Sequence, residues 1–372
     1  MGKFDKEFIE TCEKINFIVC LVIIIGGLIG NLTIVLVLKC ELKDKKNFAI
    51  EKRSTFISSS ILYILTLAIS DSIFLCTHLI EDILPSISNQ VFLLQLVNRS
   101  NLFCKLIIYF RNSTRIISSY LIAFYACERF MVIHFAAKRA LFQNKKFTIG
   151  SIVLLALISH VLTSYSLFIN GIRHVEQHEM GAQKFECDVL EKYKNIYDYI
   201  IFVYTLVGIM VPIFLVVFFN LFIVKILLVR KRKSLNMDRG GIVQLMPKSQ
   251  SKMVHIELKN RAEMSLKSQA KCYMTKKNLY SEKVATVVLI LFSVCFVVLN
   301  LPYILTWSLF YVPFKQGLLP QNDIYFRYSF VLLTETLHLT NFSINVLLYS
   351  VANKRFRQRV AKILKRSKKT KR

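Results

Sequence analysis

The sequence predicts an all-α membrane protein, a seven-transmembrane helix bundle with a short amphipathic cytoplasmic helix after the last span. Two observations carry this expectation: the grouping of apolar residues and the placement of positive charge. The chain is 54% hydrophobic with only 11 Gly and 6 Pro among its 372 residues, yet its formal charge is +27. Both properties coexist here because they are segregated along the chain. Apolar runs long enough to cross a bilayer as helices, about 20 residues each, recur at 16–38, 56–80, 102–134, 147–169, 198–229, 282–312 and 327–351. A soluble helical bundle would show polar faces at a 3.6-residue period. Runs such as "FIVCLVIIIGGLIGNLTIVLVL" show almost none.

Lys and Arg cluster after the first span (Lys39, Lys43, Lys45, Lys46), after the third (Lys138, Arg139, Lys145, Lys146), between the fifth and sixth, and at the C-terminus. The positive-inside rule then places the N-terminus outside and the C-terminus in the cytoplasm. This gives an extracellular N-terminus at 1–15, the bundle at 16–351 with a basic third cytoplasmic loop at 231–281, and an amphipathic helix with a polybasic tail at 352–372. The basic charge is read as topology and contact with membrane lipids. Interrupted by spans, it offers no continuous groove for nucleic acid. "MGKFDKEFIETCEK" lacks the apolar segment and cleavage site of a signal peptide, so the first span serves as its own anchor. No metalloprotease, P-loop or nucleophile-elbow motif is present, and an enzyme is not expected.

Polar side chains inside membrane spans are costly, so each is a functional hypothesis. Asn31, Asp71, Arg111, Arg115, Asn300, Asn341 and Asn345 all fall within the apolar runs. With "GN" in the first span, "LAISD" in the second, "ERF" at 128–130, Pro212, Phe296, Pro302 and "NVLLY" at 345–349, the set resembles the rhodopsin-like (class A) G-protein-coupled receptors. Cys104 lies 25 residues before Arg129, and Glu282 lies 20 before Pro302, as that family's spacing requires.

The resemblance implies roles. Glu128 and Arg129 form either a plain interfacial ion pair or a latch that also engages Glu282 across the bundle. Arg129, Glu282, Asn345 and Tyr349 then belong to the activation switch facing a heterotrimeric G protein and arrestin. Asp71, Ser118, Asn341 and Asn345 form either a sodium pocket, with sodium as an allosteric ion, or a hydrogen-bonded cluster without one. Neither a cofactor nor a metal site is expected otherwise. Cys104 and Cys187 pair as a disulfide. Of four Asn-x-Ser/Thr sequons, at Asn31, Asn98, Asn112 and Asn341, only Asn98 is accessible for glycosylation. His174 and His178 read as ordinary loop residues or as a zinc pair.

The ligand candidates are Glu81, Asp82, Arg111, Arg115, Asn300, Glu335 and His338. Either the arginines pair internally with Glu335 and Glu81, or they bind an anionic ligand group while the acids take a peptide's basic residue. Arg111 excludes an amine receptor and Leu339 an opsin, since those subfamilies carry Asp and Lys there. Asn300 before Pro302, "NFSIN" in the seventh span and Asn220 in the fifth resemble invertebrate FMRFamide-type neuropeptide receptors. The expected function is therefore a neuropeptide receptor at the plasma membrane, signalling by outward movement of the sixth helix. A receptor for a small anionic lipid or metabolite is the alternative, and a seven-span channel or transporter the more distant one. The chain also departs from the family pattern: Trp307 is its only tryptophan, and Val346 replaces a seventh-span proline. Without that proline the seventh helix is expected to be straighter.

Overall fold

The computed structural model describes residues 3–47, 55–83, 97–135, 138–142, 144–176, 183–240, 286–311 and 324–370. Eight helices organise it. α1 is Lys3–Asn47, and α2 is Thr55–His78 with a π-helical turn at Leu79–Ile83. α3 is Asn101–His134 and α4 is Lys145–Thr163. α5 comprises Lys194–Thr205, a π-helical turn at Leu206–Met210, and Val211–Gly240. α6 covers 286–306 and ends in a π-helical turn at Trp307–Tyr311. α7 comes in two pieces, Ile324–Asn341 and Asn345–Ala352, and α8 is Lys354–Thr370. Six of these helices are long and apolar enough to cross a membrane, and seven if the two parts of α7 count as one span.

Burial ranks the helices by position. α3 has 67% of its apolar window buried and is the central post of the bundle. The span built on α4 has 28% buried and lies at the periphery. Leu162, Tyr199, Phe214 and Leu221 are exposed on the outer surface. Water would not tolerate such a girdle on a soluble monomer, whereas a bilayer requires one.

The amino-terminal residues are not a separate segment. α1 starts at Lys3 and is 45 residues long, about 68 Å at ~1.5 Å per residue. Nothing in 3–25 breaks a helix, since neither Gly nor Pro occurs there. The first turns also dock on α7: Tyr328 Oη donates to Glu13 Oε1 (3.0 Å), and Thr336 bonds Asn16.

The seventh helix is not straighter. Its two pieces meet at 49°, and the cause lies in α1. Asn31, fully buried, donates from Nδ2 to the Phe342 carbonyl (3.0 Å), drawing that oxygen out of the helical ladder. The adjacent amides tighten to i→i−3 bonds, Phe342 to Leu339 (3.1 Å) and Ser343 to Thr340 (3.0 Å). A polar side chain inserted into the ladder bends a helix as a proline does. Gly30 lets the chains meet: a Cβ there would lie 2.6 Å from Val346 Cγ1.

In α5 the π-helical turn has a sequence cause. The Val211 N–H bonds the Leu206 carbonyl five residues back, and in that register the Val207 carbonyl faces Pro212, which has no N–H to give it. Tyr120 of α3 donates its hydroxyl to that oxygen instead (2.8 Å).

Between α4 and α5, β1 (Asn170–Glu176) and β2 (Gln183–Val189) form an antiparallel hairpin with Ile172 opposite Cys187. His174 sits in β1 opposite Phe185, and His178 lies outside the described residues. At the far end of the chain, α8 follows α7 after Asn353 and turns Phe356 into the core against Tyr349 (4.8 Å between rings).

Candidate functional site

Polar residues that the spans bury gather in three places along the bundle. The first is the hairpin end. Cys187 is bonded to Cys104 at the start of α3, with Cα atoms 5.5 Å apart. This holds β2 over a cavity of about 280 Å³ lined by Glu81, Arg111, Arg115, Tyr165, Tyr303 and Glu335, among others. Arg111 Nη1 lies 2.7 Å from Glu81 Oε2 and 2.8 Å from Asp82 Oδ2. His78 Nδ1 is 2.5 Å from the same Asp82 oxygen. The π-helical turn on α2 places two consecutive acids within reach of one guanidinium, a placement that an ordinary helical wheel does not give.

Arg111 thus pairs with Glu81 and Asp82 rather than with Glu335. Arg115 is one turn further along α3, with its guanidinium carbon 5.4 Å from the Phe74 ring centre. Among the described residues, neither Arg115 nor Glu335 has an ion-pair partner within 4 Å. Glu335 also lines a second cavity, of about 450 Å³, between α1, α2 and α7, together with Glu13, His78, Asp82 and Tyr328. The two cavities therefore share this carboxylate.

Asn300 and His338 do not line either cavity. Both are buried beneath, where His338 Nδ1 bonds Asn300 Oδ1 (2.6 Å) and Tyr303 stacks on the imidazole (4.7 Å). They form a polar link between α6 and α7 under the cavity floor. Asn98 is half-buried just before α3. The other sequon asparagines are committed internally: Asn31 to α7, Asn112 to Ser166 (3.0 Å), and Asn341 buried at 7% exposure.

The second place is the middle of the bundle. Asp71, 1% exposed, accepts from Ser118 Oγ at Oδ1 (2.5 Å) and from Asn345 Nδ2 at Oδ2. Ser118 Oγ also lies 3.0 Å from Ser70 Oγ. Asn341 is buried but makes no hydrogen bond to the carboxylate. The cluster joins α2, α3 and the lower piece of α7, so the bend in α7 and the Asp71 site are tied together through Asn345. Nearby, Asn220 fastens α5 to α6 by donating to Ser293 Oγ (2.9 Å).

The third place is the opposite end of α3. Arg129 is 1% exposed and pairs with Glu128 beside it. Ser59 of α2 donates to Glu128 Oε1 (2.7 Å) and accepts from Arg129 Nη2 (3.1 Å). The guanidinium carbon lies 5.3 Å from the Tyr125 ring centre, and Tyr125 stacks on Tyr63 (5.4 Å). Glu282 lies outside the described residues, as does 241–285 of the basic connecting loop. α5 carries the first part of that loop, continuing as helix to Gly240. Arg230 on this stretch donates to the Ile133 carbonyl at the end of α3 (2.6 Å).

Ser59, Tyr125 and Tyr165 were not among the residues expected to form these sites. Ser59 sits in "ISSS", where three hydroxyls look alike. Tyr125 and Tyr165 read as ordinary apolar lining, because only the crossing of helices reveals which charge each one meets.

A bundle of six to seven spanning helices, with a disulfide-anchored cavity at one end and a sealed Glu-Arg pair at the other, fits a receptor architecture. No curated protein sequence matches the chain. Residues 48–349 match the family described as 7 transmembrane receptor (rhodopsin family). Since that match takes in most of the chain, the protein belongs to the rhodopsin family of seven-transmembrane receptors: a multi-pass receptor of the plasma membrane, not an enzyme.

Proposed function

We propose that this receptor is activated from outside the cell by a peptide carrying a basic residue, and couples to a heterotrimeric G protein at the Glu128–Arg129 end. The observation that supports the ligand class is Glu335. Arg111 already has two carboxylates, Glu81 and Asp82, whereas Glu335 has no ion-pair partner within 4 Å among the described residues and is shared by both cavities. The second cavity adds Glu13 and Asp82. A guanidinium or ammonium supplied by a ligand completes this surplus of acid, and a partly desolvated charge-assisted pair is strong enough to anchor a peptide. An amidated neuropeptide with an arginine near its end has the required chemistry.

In this reading the hairpin end faces outside, and the polybasic α8 lies on the cytoplasmic leaflet. Agonist binding draws α6 outward and uncovers Arg129 for the G protein, with arrestin using the same opening. Asp71 with the Ser118 and Ser70 hydroxyls is an oxygen-rich set suited to a hard monovalent cation such as sodium. Binding it requires the Asn345 amide to leave Asp71 Oδ2.

The test is a panel of amidated peptides, each with one arginine replaced by citrulline, in guanine-nucleotide exchange assays on wild type and Glu335→Gln. For the cognate peptide, loss of either charge is expected to lower potency about 10- to 100-fold, a cost of ~1.4–2.7 kcal/mol, and losing both should cost little more. Silence of every peptide, together with activation by small carboxylates, sinks the peptide reading.

A further inference from the structure

We propose a second binding site, independent of the peptide reading: the outward groove between α4 and α5 takes a single-chain anionic amphiphile from the bilayer and presents its carboxylate to Arg115. The groove has a volume of about 280 Å³ and is walled by Ile116, Leu162, Tyr165, Val203, Tyr204 and Val207. Its rims are exposed, Leu162 at 48% and Val203 at 52%. Both rims stand on membrane-spanning helices, so the phase that reaches this groove is lipid hydrocarbon.

Behind the groove lies a cation. Tyr165 lines both the groove and the Arg111–Arg115 cavity, and is the side chain that separates them. On α3 the boundary falls between neighbouring residues: Ile116 faces the groove and Arg115 the cavity. The two arginines are not equivalent. Arg111 is held by Glu81 and Asp82, whereas Arg115 has no carboxylate within 4 Å among the described residues and rests against Phe74. An acid head at Arg115 supplies a direct ion-pair partner, which no carboxylate among the described residues provides within 4 Å, with the Tyr303 and Tyr165 hydroxyls bordering the same space.

This fixes the chemistry of the occupant. The tail must be apolar to lie among these side chains, and the head must be a single anion small enough to pass Tyr165. A long-chain carboxylate meets both conditions. A phospholipid headgroup is too bulky to pass Tyr165, and a short water-soluble carboxylate leaves the groove unfilled. The π-helical turn at Leu206–Met210 borders the site through Val207, whose carbonyl is held by Tyr120 of α3. Occupancy therefore bears on the α3–α5 contact beside the peptide cavity, as a modulator would.

The test uses the full-length receptor in lipid nanodiscs with a photoreactive, alkyne-tagged hexadecanoic acid. Its controls are the matching fatty alcohol and a phosphatidylcholine carrying the same photoreactive chain. Labelling by the acid is expected on peptides covering 158–170 and 194–210. The alcohol and the Arg115→Gln receptor are each expected to show roughly tenfold weaker labelling, the scale of one charge-assisted bond. Arg115→Lys should keep most of the labelling, which separates lost charge from lost folding. Val203→Trp should fill the groove and abolish labelling while surface expression stays at the wild-type level. Equal labelling by acid, alcohol and phosphatidylcholine, labelling that maps elsewhere, or indifference to Val203→Trp overturns the proposal.

Discussion

The two ends of α3 use the same chemistry in opposite ways. At the hairpin end Arg111 meets Glu81 and Asp82 in a cavity, with side chains 19%, 22% and 39% exposed. At the other end Arg129 meets Glu128 with side chains 1% and 2% exposed, beneath Ser59 and Tyr125. The first set is partly buried, borders an open cavity and has a spare acid, so a ligand group can exchange with it more readily than with the sealed pair. The second is dry, so either partner left alone bears the full penalty of a buried charge. What differs is hydration rather than residue type. In the proposed function, the exchangeable charges serve ligand recognition, and the sealed pair serves as a switch that holds until the helices part.

Substitutions at the two ends measure that difference. The largest effect is expected for Glu128→Gln, which strips Arg129 of its adjacent carboxylate. Denaturant unfolding in detergent, followed by Trp307 fluorescence, should show a loss of about 3 kcal/mol, and nucleotide exchange without agonist should rise. Wild-type stability in this variant would mean that the dry end is not sealed. Tyr120→Phe calibrates the middle: removing the hydroxyl from the Val207 carbonyl should cost about 1 kcal/mol, with basal exchange unchanged. A similarly small loss is expected for Glu81→Gln, because Asp82 still holds Arg111. A loss of about 1 kcal/mol is expected, well below that at the sealed end. A loss at Glu81 equal to that at Glu128 erases the contrast between the ends.

Much of this arrangement is legible in the sequence, and the rest has physical reasons for being hidden. Apolar runs mark the spans because a bilayer demands their length. The Cys104–Cys187 pairing and the identities of Asp71 and Arg129 follow from family spacing. The bend of α7 does not, because the rule read from Val346 concerns proline, and the actual cause is the Asn31 amide arriving from a helix more than 300 residues away. The geometry of the ligand end is hidden for a similar reason. Asn300 and His338 stand at pocket positions by count, yet they satisfy each other below the floor. Arg111 was within reach of several acids, and a π-helical turn that has no sequence signal decided which ones it meets.

The Asn31–Phe342 bond also bears on how the chain is made. α1 enters the membrane first, with its amide and its glycine notch uncovered, and stays so until the last span has been synthesised. Until α7 docks, the Asn31 amide lacks the acceptor it uses in the complete bundle, and in hydrocarbon that absence is costly. Completion of the bundle is thus announced by its newest helix closing on its oldest. A chain truncated before Phe342 lacks the acceptor that the Asn31 amide uses in the complete bundle.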